Sequence, residues 1–230
     1  MMLHDDAPAL DSDRPAAAKG ALAAYAYQQI RERLILSTYK GGERLVLRPL
    51  AASLNLSPTP VREALLRLVS EQALELDDRN TARVPALSRE VFQEVHPLRG
   101  DLEERLTRNV AGRITPEQIG VLETCHQSFI DGYLAGDPHQ AAVGNAAFHS
   151  AIADFSSMTI TAGIMQRLWA RIGPFYAGTN GLPPASPVEA NHPHMLLLEA
   201  FRRHDAEAAV AAIRQDFQQA RSWLEPLLPA

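Results

Sequence analysis

Residues 50–68 read LAASLNLSPTPVREALLRL. The first part predicts a short helix over about 48–54, with Leu50, Ala51 and Leu54 turned inward. Asn55 and Leu56 form a tight turn. A second helix then starts at Ser57 and runs to about Gln72. Ser57 suits the N-cap, where a hydroxyl accepts from a free first-turn amide. Pro58 and Pro60 occupy positions whose N–H groups have no helical partner. Val61, Ala64, Leu65 and Leu68 recur at helical spacing and form a buried stripe, leaving Thr59, Arg62, Glu63 and Arg67 outward. A helix N-terminus attracts phosphate, and Arg62 one turn in can reach a base edge. The plain alternative is a solvated helix with a proline start.

The neighbouring segments narrow the choice. A helix is expected over about 21–37, from Leu22, Tyr25, Ala26, Ile30 and Leu34 at three- and four-residue spacing. TYKGGERL breaks it. After the proline-started helix come Leu74-Glu75-Leu76, a polar turn DDRNT and Ala82-Arg83-Val84, a two-stranded hairpin. Helix, helix, turn, helix and hairpin is the order of a winged helix-turn-helix.

Composition agrees. The chain has 230 residues, 46% hydrophobic, with few aromatics and one cysteine, Cys125. Leu and Ala dominate, which favours helices. A lone cysteine excludes an internal disulfide framework and fits a cytoplasmic protein. No apolar run has the roughly 18 residues of a membrane span, and the acidic N-terminus is not a secretory signal. Net charge is −5. Its distribution matters more: residues 21–86 hold nine basic and seven acidic groups, whereas the flanking segments are both net acidic. Only the helix-turn-helix segment is positive.

Residues 1–20 are expected to be a disordered tail. From residue 87 onward the pattern is helical, with helices over about 88–112, 116–136, 138–155, 159–177 and 194–224, the last dividing near Arg203–Asp205. Pro116, Pro138 and Pro193 mark helix starts. The fold class is therefore mainly α: a winged helix-turn-helix over 21–86, then an all-α bundle of six or seven helices over 87–230.

Two groups in the second half carry chemistry. Asn145 and His149 are four apart and share one helix face. His194 begins a later helix, and Asp216 follows twenty-two residues on; a turn near His204–Asp205 would bring those two onto adjacent helices. Two imidazoles, a carboxylate and an amide oxygen can hold a divalent cation. The alternatives are a buried histidine beside Phe148, a helix-capping His194 and a solvated Asp216. Separately, Arg99 offers a planar guanidinium suited to a carboxylate, or to a structural ion pair with a nearby acid. No nucleophile–base pair or His-Glu-x-x-His helix points to an enzyme, although a metal-dependent enzyme acting on a small acid is the competing class.

The sequence resembles a known family. GGERL, LAASLNLSPTPVREALLRL and the hairpin after them look like the DNA-binding domain of GntR bacterial transcription regulators. RGDLEERL, AAFH and HMLLLEAFRRHDAEAAVAAI look like the FCD effector domain of the FadR subfamily. The resemblance implies a homodimer on a palindromic double-stranded DNA operator. DNA contacts would come from Arg48, Ser57, Thr59 and Arg62, with Arg67 beside them and Arg79 or Arg83 on the wing. It implies a metal (Zn, Mn or Ni) on Asn145, His149, His194 and Asp216, with His192 as a nearby alternative. A small organic acid would be held by Arg99, with His126 and Arg171 as further cavity candidates. Most relatives are repressors. Three departures stand out. Many relatives have Arg at Pro58, many have glycine at the wing tip where this chain has Arg79-Asn80-Thr81, and most have His where this chain has Asp216.

Overall fold

The computed structural model describes residues 19–178, 182–184 and 186–228. The expected tail therefore lies outside the described residues up to residue 18, while Lys19 and Gly20 already belong to the first helix. That helix, α1 (Lys19–Ile35), buries Ala26, Tyr27, Ile30 and Leu34. Next come β1 (Arg44–Leu45), α2 (Leu47–Ser53), α3 (Pro58–Ser70), β2 (Glu75–Leu76) and β3 (Ala82–Arg83). Helix α3 buries the stripe Val61, Ala64, Leu65 and Leu68 against α1 and α2.

The wing differs from a two-stranded hairpin. The GGERL segment contributes β1, which pairs antiparallel with β3 to give the order β1-β3-β2, Arg44 opposite Arg83 and Leu45 opposite Ala82. Two residues are too short for an alternation pattern to show, and the strand exists because its partner is distant in sequence. At the wing tip Asp77 accepts from the Arg79 and Thr81 amides, and Asn80 takes the left-handed conformation at φ 55°. Asparagine tolerates that region better than most residues, so the turn closes without the glycine.

The helical body comprises α4 (Arg89–Ala111), α5 (Pro116–Ala135), α6 (Pro138–Phe155), α7 (Thr159–Gly178), α8 (Pro193–Arg202) and α9 (Ala206–Leu224), ending in a 3₁₀ turn, Glu225–Leu227. Their starts are built as the sequence suggests. Ser88, Asp137 and Asp205 accept first-turn amides, and Thr115 with Gln118 forms a capping box. The division of the last helical segment falls at 203–205, where His204 adopts φ 53°. Helices α5 and α6 approach closely at Gly144, where a Cβ would meet the Phe129 amide nitrogen at 2.4 Å.

Helix α7 joins the body to the winged part. Its Ala170 and Ile172 share a core with Leu34 and Ile35 of α1. At Gly173 the two backbones nearly touch: a Cβ there would lie 2.5 Å from the Leu34 carbonyl oxygen. The buried Ser37 hydroxyl donates to the Gly173 carbonyl at 2.7 Å.

Candidate functional site

Two regions present chemistry. The first is the outer face of α2, α3 and the wing. Arg48, Ser57, Thr59, Arg62 and Arg79 are all exposed. Among the described residues no ion pair engages Arg48, Arg62 or Arg79. Ser57 occupies the N-cap, but its side chain makes no capping bond. The reason is Pro60 at N3, whose missing N–H removes the donor that an N-cap hydroxyl commonly uses. The Ser57 hydroxyl is thereby left for an outside partner. With Pro58 at N1 as well, only the Ser57 and Thr59 amides keep a hydrogen in that first turn. Phosphate binding there falls on fewer groups than at an ordinary helix start.

Arg67 does not belong to that free set. Its Nε lies 3.0 Å from Glu71 and its guanidinium 3.8 Å from the centre of the Tyr27 ring, while the Tyr27 hydroxyl donates to Glu71 at 2.6 Å. The group ties α3 to α1. Arg83 is likewise paired with Glu75 across the sheet, leaving Arg79 as the wing's unpaired arginine. Leu66, absent from the sequence-derived set, is 52% exposed on α3 one turn beyond Arg62. An exposed leucine there can meet only an apolar surface such as a thymine methyl. The break in the buried stripe at this position is the signal that marks it.

The second region is inside the helical body. Helices α6, α8 and α9 bring His149, His194 and Asp216 together. His149 Nε2 is 3.4 Å from Asp216 Oδ2, and His194 Nε2 is 3.7 Å from Asp216 Oδ1. Both Nε2 atoms are buried and neither makes a hydrogen bond. Orphaned buried imidazole nitrogens converging on a carboxylate are what a shared cation would satisfy. His149 Nδ1 lies 2.6 Å from Glu103 Oε2, the carboxylate–imidazole arrangement that orients a metal-ligating ring. Asn145, one turn before His149, lines the adjoining cavity with Asp216. The set fits Zn, Mn or Ni.

Electrostatics agree with a cation-seeking centre. Burial would push His149 down, but Glu103 and Asp216 outweigh it and raise it to about 9. Burial would raise Asp216, yet the neighbouring His149, 3.4 Å away, brings it down to about 2. Burial holds His194 neutral, well below its usual range. Without an ion, the proton on His149 supplies the positive charge between Glu103 and Asp216.

His126, His192 and His194 also cluster. This trio is not a second cation site. His192 Nδ1 caps α8 by accepting the His194 amide at 3.2 Å, which fixes its remaining hydrogen on Nε2. Turning His192 into a ligand through Nε2 would put the hydrogen on Nδ1, facing another donor.

The cavity beside the centre has a volume of about 400 Å³. Arg99, Asn145, Tyr176, His192 and Asp216 supply its polar wall, with Phe129 and Trp223 among the apolar lining. Arg99 is 2% exposed and makes a structural ion pair at the cavity wall. Its Nε lies 3.0 Å from Glu103 Oε1 and its Nη1 donates to the Tyr176 hydroxyl at 3.2 Å, with the guanidinium 3.9 Å above Trp169, yet it still faces the cavity. Glu103 therefore holds Arg99, His149 and the Trp169 indole N–H together. The other two cavity candidates lie elsewhere. His126 is buried behind His194, and Arg171 on α7 is held below its ordinary range by burial, with Glu75 of the wing as the opposing charge. Arg171 is not among the residues that line the cavity.

A winged helix-turn-helix with free arginines, fused to a helical body around a polar cavity, defines a two-part DNA-binding regulator. Comparison with known proteins makes this specific. Residues 22–84 match bacterial regulatory proteins of the gntR family, and residues 94–219 match the FCD domain. The chain is 30% identical over 194 residues to the HTH-type transcriptional regulator McbR of Escherichia coli (strain K12), covering 83% of this chain and 86% of McbR. The E. coli McbR/YncC structure superposes with a TM-score of 0.77 at 28% identity, over 90% of this chain and 98% of that one. A GntR structure from Rhodococcus sp. RHA1 shares the fold, with a TM-score of 0.67 at 16% identity over 90% and 99% of the two chains. The chain belongs to the GntR family of bacterial transcription regulators and carries an FCD domain. No helix among the described residues is long and apolar enough to cross a membrane.

Proposed function

We propose that this regulator is a cytoplasmic homodimeric repressor that senses a small organic acid through a metal-dependent FCD cavity. Residues 21–86 are the DNA-binding domain and 87–230 the effector-binding and dimerisation domain. Arg48, Ser57, Thr59, Arg62 and Arg79 contact a palindromic operator, each subunit placing α3 in one half-site. His149, His194 and Asp216, with Asn145, hold a divalent cation. A carboxylate in the cavity would meet both that charge and Arg99, so the pocket selects small anionic ligands. Such a cation would supply a Lewis-acidic anchor for the acid's oxygen. Arg99, kept in place by Glu103 and Tyr176, orients the acid's other end. Binding that favours one arrangement of the winged part over another shifts the dimer between DNA-competent and incompetent populations.

The observation that carries this reading is the convergence of two orphaned buried imidazole nitrogens on Asp216 at the wall of an arginine-lined cavity. A second reading, a metal-free sensor, is favoured by the position of His149 between two carboxylates, 2.6 Å from Glu103 and 3.4 Å from Asp216. Elemental analysis decides between them. The purified protein should hold one divalent ion per chain, and His149→Ala and Asp216→Ala should each lose it. Undiminished metal in both variants would refute the ligand set, and a metal-free wild type would leave the second reading. For the DNA surface, Arg62→Ala should abolish specific binding to fragments selected from genomic DNA while leaving the thermal melt unchanged.

A further inference from the structure

The metal centre proposed above needs His194 to present Nε2, and the His194 ring has two ways to lie in its slot. Its plane is set by Phe148, whose ring stacks on it at 4.0 Å between centroids and 9° between planes. Stacking is indifferent to a half-turn of the imidazole. One orientation aims Nε2 at Asp216, and the other exchanges nitrogens for carbons along both edges. Something must break that symmetry, because a buried imidazole facing the ion with a C–H edge binds nothing. Glu103 does this for His149. For His194, among the described residues, His126 rather than a carboxylate stands behind the ring.

We infer that His126 is the positioning residue for His194, fixing its orientation and tautomer so that the Nε2 lone pair faces the cation. His126 Nδ1 lies 3.2 Å from His194 Nδ1. Both rings are buried, His194 completely and His126 at 3% exposure. When His194 Nε2 coordinates an ion, its single hydrogen is on Nδ1 and must be donated to an acceptor. His126 Nδ1 is that acceptor, which places the His126 hydrogen on Nε2, a buried nitrogen with no hydrogen-bond partner among the described residues. The half-turned ring would offer His126 a carbon and leave a buried lone pair of His126 unmet. The first turn of α8 is held from both sides: the His194 backbone by His192 Nδ1 and the His194 ring by His126 Nδ1. His126 therefore serves the cavity from behind, through the metal ligand, rather than as an effector contact.

The inference rests on the metal reading, and the test separates the two. Zn(II) affinity is measured by competition with a chelating dye for the wild type, His126→Leu and His126→Gln. Glutamine retains an acceptor in place of Nδ1, whereas leucine fills the space without one. His126→Leu should bind Zn(II) between about ten- and a hundredfold more weakly, and His126→Gln should stay within about threefold of wild type. Equal weakening in both variants, or none in either, overturns the inference while leaving the metal reading intact. A wild type that binds no Zn(II) overturns the metal reading itself and this inference with it. Should a variant fail to fold, the Zn(II)-loaded wild type answers alone. A through-hydrogen-bond ¹⁵N–¹⁵N coupling should connect His194 Nδ1 to His126 Nδ1, and its absence would mean the rings are not bonded.

Discussion

Gly173→Ala should destabilise the protein, although the position is helical and alanine is the better helix former. The added methyl would lie 2.5 Å from the Leu34 carbonyl oxygen and 2.9 Å from that of Ile35. These are backbone atoms at the end of α1, so no side chain can swing aside. The contact opens only if α1 and α7 move apart. Overpacking of this kind costs about 1–3 kcal/mol. Separation also strains the buried Ser37 hydroxyl bond to the Gly173 carbonyl, and an orphaned buried hydroxyl costs about 1–3 kcal/mol. The two losses share one movement, so a combined loss of about 2–4 kcal/mol is expected, or about 5–10 °C in Tm for a chain of this size. The same helix supplies the control. A Cβ at Gly163 meets nothing within 4 Å, so Gly163→Ala should gain about 0.8–1 kcal/mol of helix propensity and raise Tm. Thermal denaturation monitored by circular dichroism reads both. A Gly173→Ala melt at or above wild type would refute the claim that backbone contact at this point holds the winged part to the body. A Gly163→Ala loss as large as that of Gly173→Ala would show that α7 resists substitution for some other reason.

Two further outcomes follow from buried groups. His96 is driven down from 6.5 to about 4, mainly by burial and next by the Arg99 charge, against a bond to the Phe217 carbonyl. A group with a depressed folded value is protonated first in the unfolded chain, so its contribution is full above pH 6.5 and is lost as pH falls towards 4. At about 1.4 kcal/mol per pH unit the contribution reaches roughly 3 kcal/mol. The fall in stability across that window, followed by urea denaturation at stepped pH, should be shallower in His96→Gln; an unchanged slope would contradict the assignment. Arg67→Ala should act on stability rather than on base preference, because its guanidinium is committed to Glu71 and the Tyr27 ring. A lowered melt with unaltered operator preference is expected, and altered preference with an unchanged melt would return Arg67 to the DNA surface.

The elements legible in the sequence are those with local causes. Helices α5 and α6 begin at the prolines that mark them, and the break between α8 and α9 falls at the predicted turn. The buried stripe of α3 and the outward Arg62 follow from a repeat of three and four residues. His149 and Asn145 share a face for the same reason. A single side-chain contact is not fixed by periodicity. Ser57 stands at the N-cap as expected but makes no capping bond, since Pro60 removed the donor. Arg67 faced outward by periodicity, yet Tyr27 on another helix claimed it.

What the sequence by itself determined is the order of helices, the reading helix with its proline start, and the residue types able to meet a cation or an acid. Periodicity, capping and backbone sterics act over a few residues, so they are written in a few residues. Only the tertiary structure decided the rest. It brought β1 to β3, set Glu103 behind His149 and beside Arg99, left Arg171 outside the cavity lining, and placed His126 against His194 across sixty-eight positions of chain. Those pairings arise from how helices pack, and the packing of one face on another has no periodic trace in either strand of sequence.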